Sequence, residues 1–145
     1  MVRTMAATKK LSKAQYEMLA AFRFALRQFL KFSEDAAHGA GITAQQHQAL
    51  LAIKGFPGRD RVTVGELAER LQVAPHSAVG LIDRLVTENL VAREPSDEDR
   101  RRVFITLTPH GEKVLEQLVA AHREQLRRVG SHMHELMEGL GSGEE

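Results

Sequence analysis

Residues 64–88 have the sequence VGELAERLQVAPHSAVGLIDRLVTE, which contains two segments with helical spacing of apolar residues. Thr63 begins a capping box (S/T-x-x-E), and Pro75 suits the first position of a helix. These signals predict helices at 64–71 and 75–88, separated by a three-residue turn. Two short helices at this spacing are typical of a helix-turn-helix, whose second helix is exposed for contact with DNA.

The second predicted helix has an apolar face and a more polar face. The apolar face is expected to enter the core and consists of Val79, Ile82, Leu85 and Val86. If this helix enters a major groove, the opposite face contacts DNA. A glycine inside a helix costs about 1 kcal/mol relative to alanine, so Gly80 favours a functional role. The solvated face of an ordinary amphipathic helix is the alternative interpretation. The candidate DNA-binding residues here are Pro75, His76, Ser77, Gly80, Leu81 and Arg84.

A β-hairpin is predicted over residues 91–107, because 91–94 suits a strand and 103–107 alternates apolar and other residues. Val103, Ile105 and Leu107 are expected to face the core. The tip carries three acidic residues followed directly by three arginines. Arginines on a hairpin suit a narrow minor groove, where the potential is most negative, whereas a soluble charged turn is the simpler alternative. The candidate DNA-binding residues of the tip are Asp99, Arg100, Arg101 and Arg102, with Asp99 suited to holding an arginine in place.

The flanking sequence predicts a mainly α-helical fold with a small β-hairpin wing. Further helices are expected at about 13–37, 44–54 and 109–138, with a loop at 55–61. Ser12 with Gln15 and Thr43 with Gln46 also have capping-box spacing, and Thr108 is expected to cap the last helix. The organisation predicted is a flexible basic tail (1–11), one domain (12–140) with dimerisation helices (12–38 and 109–139) and a DNA-binding lobe (62–108), and a disordered tail (141–145).

Apolar residues recur every three or four positions along the last helix, which is the pattern of a seam that packs on another helix. Together with part of the first helix, this seam is the candidate interface of the protein. The candidate interface residues are Phe22, Phe29, Leu118, His122, Leu126, Val129, Met133 and Leu136.

Composition excludes several classes of protein. The 145-residue chain has no cysteine, which fits a reducing cytoplasm and excludes cysteine-bound zinc. We find no membrane-spanning run, no secretory signal, no nucleophile elbow, no phosphate loop and no dinucleotide fingerprint. No two histidines have the spacing of a helical zinc site. The sequence therefore predicts a cytoplasmic protein that is not an enzyme, with no catalytic residue, metal or cofactor.

The charge balance keeps a second function open. The net charge is +1, and residues 59–102 contain eight arginines and nine acidic residues. A nucleic-acid-binding protein usually has a basic surface, so DNA contact must depend on locally placed arginines. A winged helix that binds only other proteins, without specific DNA binding, is the alternative.

Residues 99–111, DRRRVFITLTPHG, resemble the D-x-R…L-T-x-x-G signature of the MarR (multiple antibiotic resistance regulator) family. Residues 64–71 and 81–85 resemble that family's two helix-turn-helix segments, and Asp99 and Arg101 match its signature pair. The resemblance implies a winged helix-turn-helix repressor acting as a homodimer. It implies recognition helices in successive major grooves of a pseudo-palindromic operator, wing arginines in the minor groove, and a small aromatic effector.

Three residues depart from the family pattern. Gly80-Leu81 stands where many members have threonine and arginine, which puts a polar base contact in doubt. Asn89 stands where glycine is usual, and Arg102 where a small residue is frequent. The sequence does not identify the residues of an effector pocket.

Overall fold

The computed structural model of the protein describes residues 10–141, so most of the predicted tails, at 1–9 and 142–145, lies outside the described residues. Five helices and three short strands are present in this range, which confirms the mainly helical fold class. No helix within it is long and apolar enough to cross a bilayer. In chain order the elements are α1 (Lys13–Gly39), α2 (Ala44–Lys54), β1 (Arg61–Val62), α3 (Val64–Leu71), α4 (Pro75–Thr87), β2 (Val91–Pro95), β3 (Val103–Leu107) and α5 (Pro109–Gly141).

The helices begin where the capping signals predict. At α2, the Thr43 hydroxyl accepts a hydrogen bond from the Gln46 N–H (3.1 Å), and the Gln46 side chain accepts one from the Thr43 N–H (2.9 Å). The same reciprocal bonds join Thr63 to Glu66 at α3 and Ser12 to Gln15 near the start of α1. Each cap contributes about 1 kcal/mol, so local sequence determines these boundaries.

The three strands form one antiparallel sheet in the order β1-β3-β2. Strands β2 and β3 form the predicted hairpin, which we call the wing (residues 91–107). Strand β1 adds an edge to it, with Arg61 opposite Thr106 and Val62 opposite Ile105. The prediction of a loop through Arg61 was therefore wrong, because a two-residue strand is too short to show alternation in the sequence.

Burial along β3 differs from the predicted alternation. Ile105 and Leu107 are buried as expected, but Val103 is 41% exposed and Phe104 only 6% exposed. The Phe104 ring is covered by the guanidinium of Arg61, whose carbon lies 4.3 Å from the ring centroid. An aromatic ring on the outer face of the sheet is thus buried by a charged side chain, which alternation cannot predict.

The described residues divide into two compact units. The central unit contains residues 33–122, and the terminal unit contains 10–32 and 123–141. In the terminal unit the Gln15 side-chain amide donates to the Gly139 carbonyl (3.3 Å), which joins α1 to α5. The central unit has one apolar core, which fixes α3 and α4 on the sheet; its largest fully buried side chains are Leu50, Ile53, Val62, Leu67, Leu81, Ile82, Leu85, Leu90 and Ile105.

A tight junction connects the end of α4 to the start of α5. Asn89 adopts a positive φ of 58°, a left-handed conformation that asparagine tolerates better than most residues. The Thr108 hydroxyl donates to the Asn89 carbonyl (2.6 Å) and accepts from the Gly111 N–H (3.0 Å), which confirms Thr108 as the cap of α5. Gly111 lies so close to Leu90 that a Cβ there would overlap the Leu90 carbonyl oxygen.

Two histidines pack together inside the central unit. His47 and His122 are 7% and 4% exposed, and their ring centroids are 5.2 Å apart. His122 Nδ1 donates to the Leu118 carbonyl (2.6 Å), whereas Nδ1 of His47 is buried without a hydrogen-bond partner among the described residues. Burial, and then the charge of His122, lower the pKa of His47 below its ordinary value of 6.5.

This lowered pKa makes folding sensitive to acid. Below about pH 6.5 the unfolded chain binds a proton at His47 more readily than the folded chain does. The free energy of unfolding therefore decreases as the pH is lowered. We expect the denaturant midpoint to decrease as the pH is lowered from about 7 to about 5, and to decrease less steeply in His47→Gln. His134→Gln, at a side chain that is 75% exposed, is the control and should keep the wild-type slope. Equal slopes in both variants would contradict this account.

Candidate nucleic-acid interface

Helix α4 exposes a polar face, but its apolar face lies in a different phase from the one predicted. The buried residues are Ala78, Leu81, Ile82 and Leu85. Leu81 is 1% exposed, so its prediction as a DNA contact was wrong, and Val79 is 45% exposed, so its prediction as core was also wrong. The α4 sequence is apolar enough to allow either phase, and packing on the sheet selects the stripe that includes Ala78.

The remaining candidates on α4 are accessible. Pro75, His76, Ser77, Gly80 and Arg84 are all exposed. Ala74 precedes the helix without a side-chain cap, Pro75 has no N–H, and the Ser77 N–H donates to the Ala74 carbonyl (3.0 Å). A Cβ at Gly80 would meet nothing within 4 Å, so packing of the described residues does not require glycine there. A small side chain at this point lets another molecule approach the backbone closely.

An ion pair connects α4 to the wing. Asp83 lies on the exposed side of α4, and its carboxylate pairs with the guanidinium of Arg93 in β2. Sequence spacing does not indicate this pair, because its partners belong to different elements and meet only when the wing folds back beside α4. It holds the wing and the exposed helix together, although an exposed pair contributes little stability by itself.

The tip of the wing is a hydrogen-bonded turn with its arginines outside. The Ser96 hydroxyl accepts from the N–H groups of Glu98 and Asp99 (3.3 Å each), and the Asp99 carboxylate accepts from the Arg101 N–H (3.0 Å). Asp99 therefore positions the backbone of Arg101 rather than its guanidinium. Residues 100–102 are exposed, and their guanidinium groups form no ion pair with a carboxylate in the range 10–141.

A cluster of arginines and phenylalanines lies beside the wing and was not predicted. Arg59 lies between two rings, 4.5 Å from the centroid of Phe56 and 5.4 Å from that of Phe104. Arg59 also pairs with Glu66. Burial raises the pKa of Glu66, but hydrogen bonds from Thr63 and Arg59 outweigh it and hold this pKa below its ordinary value. The signal available in the sequence was the concentration of arginines around Phe56 in a loop.

The candidate dimer residues differ in accessibility. Leu118, His122 and Leu136 are already buried by other residues of the same chain, and their role in a dimer interface stays a prediction. Their side chains pack inside their own protomer, which helical periodicity cannot distinguish from packing on a second copy. Leu126 and Met133 are 52% and 45% exposed, and Phe22, Phe29 and Val129 are partly exposed. Across residues 10–141, no three potential ligand residues cluster to hold a metal.

Two helices in helix-turn-helix arrangement, with a three-stranded sheet whose hairpin has arginines at its tip, define a winged helix-turn-helix protein. Solved structures share this fold. AbsC, a MarR family transcriptional regulator from Streptomyces coelicolor, superposes with a TM-score of 0.68 at 24% identity, covering 90% of each chain. A MepR variant of S. aureus bound to an oligodeoxyribonucleotide gives 0.65 at 22% identity, over 92% of this chain and 96% of MepR. NadR in complex with 4-hydroxyphenylacetate gives 0.66 at 24%, over 95% and 94%.

The chain belongs to the MarR family. The sequence profile of that family matches residues 40–102. The transcriptional regulator HosA of Escherichia coli O111:H- is 30% identical over 104 residues, which are 72% of this chain and 69% of HosA. The transcriptional repressor MdtR of Bacillus subtilis is 32% identical over 95 residues, 66% of this chain and 59% of MdtR. The match to the repressor YetL covers 54% of that protein, so the chain spans little more than half the length of some relatives.

Proposed function

We propose that this protein is a transcriptional regulator that binds double-stranded DNA through α4 and the wing. The observation that carries the proposal is the wing tip. Three exposed arginines with no carboxylate partner among residues 10–141 stand there on a hydrogen-bonded hairpin, beside the exposed face of α4. A helix of this kind fits a major groove, and a hairpin with arginines fits the adjacent minor groove. The oligonucleotide bound to MepR, which has the same fold, supports this proposal.

The contacts within this interface have different roles. His76 and Ser77 lie in the first turn of α4, where they can reach base edges, and Arg84 lies farther along, where a phosphate is the better partner. Arg101 and its neighbours enter the minor groove. Asp99 supports Arg101 through the turn and does not meet DNA. Leu81 has no part in the interface, because its side chain is in the core.

We propose that the protein acts as a homodimer. The terminal unit exposes six large apolar side chains to between 45% and 68%: Tyr16, Phe24, Leu30, Leu126, Met133 and Met137. Apolar surface of this kind marks a protein interface, and a symmetric pair is the commonest way to cover it. A twofold dimer presents two α4 helices to a pseudo-palindromic operator, with half-sites centred about one helical turn apart.

The regulator is proposed to be a repressor that a small aromatic molecule releases from DNA. The repressors MdtR and YetL support the first part, and 4-hydroxyphenylacetate in NadR supports the second. Adding this compound to the protein–operator complex tests the second part. Release of DNA at millimolar or lower concentration supports an aromatic effector, and unchanged binding contradicts this choice of compound class.

The salt dependence of DNA binding tests the proposed function. Operator fragments are first selected from random duplexes, and the dissociation constant is then measured against salt. Each neutralised phosphate contributes a slope of about 0.9 in the logarithm of the binding constant. Arg101→Ala is expected to weaken operator binding by roughly 10-fold to 100-fold, because it removes a minor-groove contact. Arg127→Ala is the control, since this arginine is exposed on α5 and pairs only with Glu124 among the described residues.

The result separates the two candidate functions. A steep salt dependence with loss of affinity in Arg101→Ala supports DNA regulation. If the protein enriches no duplex from the random pool, or if its dissociation constant does not change with salt, the alternative of a winged helix that binds only proteins is favoured. The near-neutral net charge of +1 is the observation that favours this alternative, because a DNA-binding protein usually has a basic surface.

A further inference from the structure

Arg61 lies on the edge strand of the sheet, at the side of the wing. Arg61 is opposite Thr106 of β3 in the sheet, and its guanidinium carbon lies 4.3 Å from the centroid of the Phe104 ring. Phe104 is only 6% exposed, so the ring is held in place by the packing around it. A cation stacked on a fixed ring loses much of its freedom before any partner binds.

The contact with Phe104 leaves N–H donors of this guanidinium available. The group carries five N–H donors, more than a contact with one ring can occupy. Arg59 shows the contrasting case, because it lies between two rings and pairs with Glu66. Arg61 is exposed, and no carboxylate in residues 10–141 forms an ion pair with it.

Arg61 shares a cleft of about 260 Å³ with the wing tip. Arg102 lies in the same cleft, so two cationic side chains, one from the tip and one from β1, face one space. The carboxylates of Asp97, Glu98 and Asp99 also line it. The Asp99 carboxylate already accepts a hydrogen bond from the Arg101 N–H, whereas the carboxylates of Asp97 and Glu98 repel a free anion. This balance predicts weak binding of a small anion, and useful binding only when the rest of the wing holds the anion in place.

We infer that Arg61 is a further DNA contact, binding a backbone phosphate beside the groove that the wing tip enters. This inference rests on the proposed function. Because Arg61 lies on the edge strand with its guanidinium over Phe104, and not at the wing tip, a phosphate is a better partner for it than a base edge. Its contribution is therefore independent of sequence and equal for operator and unrelated duplexes. Arg61 and Arg102 together hold the strand on either side of their shared cleft.

The test compares Arg61→Gln with Arg61→Lys. Glutamine keeps a stem that packs on Phe104 but removes the charge, and lysine keeps the charge. We expect Arg61→Gln to weaken both operator and unrelated duplex by the same factor, roughly tenfold at low salt, and to lower the salt slope by about 0.9. Arg61→Lys should restore the slope. Arg127→Ala serves again as the control, and thermal unfolding shows that the variants fold.

Each outcome has one meaning. An unchanged salt slope in a folded Arg61→Gln, with normal DNA binding by the wild type, would overturn the inference and leave the proposed function standing. Equal loss in the glutamine and lysine variants would also overturn it, because the role would then not depend on charge. A loss confined to the operator would show base contact rather than phosphate contact. Absence of salt-dependent binding by the wild-type protein would instead remove the proposed function itself.

Discussion

Replacing Gly111 with alanine is expected to destabilise the protein by about 3 kcal/mol or more. The added Cβ would overlap the Leu90 carbonyl oxygen and lie 3.0 Å from its carbonyl carbon. Both are backbone atoms, which cannot rotate away as a side chain does. Leu90 is also held by the Thr108 N–H, which donates to the same oxygen (3.1 Å), so relief would require the first turn of α5 to move.

Gly130→Ala is the matched control for this prediction. Gly130 is in the same helix, and a Cβ there would meet nothing within 4 Å. The control should raise stability by about 1 kcal/mol, because alanine favours a helix over glycine. Thermal unfolding of the two variants should therefore shift in opposite directions, with a loss of roughly 10 °C for Gly111→Ala. Similar shifts in the two proteins would refute the close approach at Leu90.

The double variant Leu126→Glu, Val129→Glu is expected to convert the proposed dimer to monomers and to weaken operator binding about 100-fold or more. Leu126 is 52% exposed and Val129 is partly exposed, so neither supports the protomer's own core strongly. Two carboxylates at an apolar, twofold-related surface would be buried beside their symmetry mates, at a large cost in free energy. A monomer holds one half-site and loses the advantage of binding two at once.

Sedimentation equilibrium measures the first effect and operator binding the second. Arg128→Glu is the control, because it changes the charge by the same two units at an exposed position on the same helix. This control should remain dimeric. If the double variant also remains dimeric, the interface lies elsewhere on the terminal unit or the central unit. If it is monomeric and still binds the operator with wild-type affinity, the paired arrangement is not needed for recognition.

Local signals in the sequence predicted much of the fold. Helices α2 and α3 have the predicted bounds, and all three capping boxes are formed, because a cap depends on residues three positions apart. Asn89 has its left-handed backbone for a similarly local reason. The hairpin followed from alternation and from a polar tip between two strand-forming segments.

Long-range packing explains what the sequence left open. The buried stripe of α4 depends on how the helix is rotated on the core, and so Leu81 and Val79 exchanged their predicted environments. Strand β1 exists only because β3 has a free edge beside it. Arg61 stacks on Phe104 across 43 positions of sequence, and Asp83 meets Arg93 through the fold of the wing. These contacts join different elements, so no pattern within one element indicates them.

The junction at Thr108 gives a physical reason for a spacing in the sequence. One hydroxyl serves Asn89 and Gly111 together, and the glycine lets α5 touch the backbone of Leu90. The threonine and the glycine therefore act together to attach the start of α5 to Asn89 and Leu90. In this chain, the L-T-x-x-G part of the signature marks how the start of α5 is attached to the residues that follow α4. Proteins that read quite different operators, or none, can carry it for the same mechanical reason.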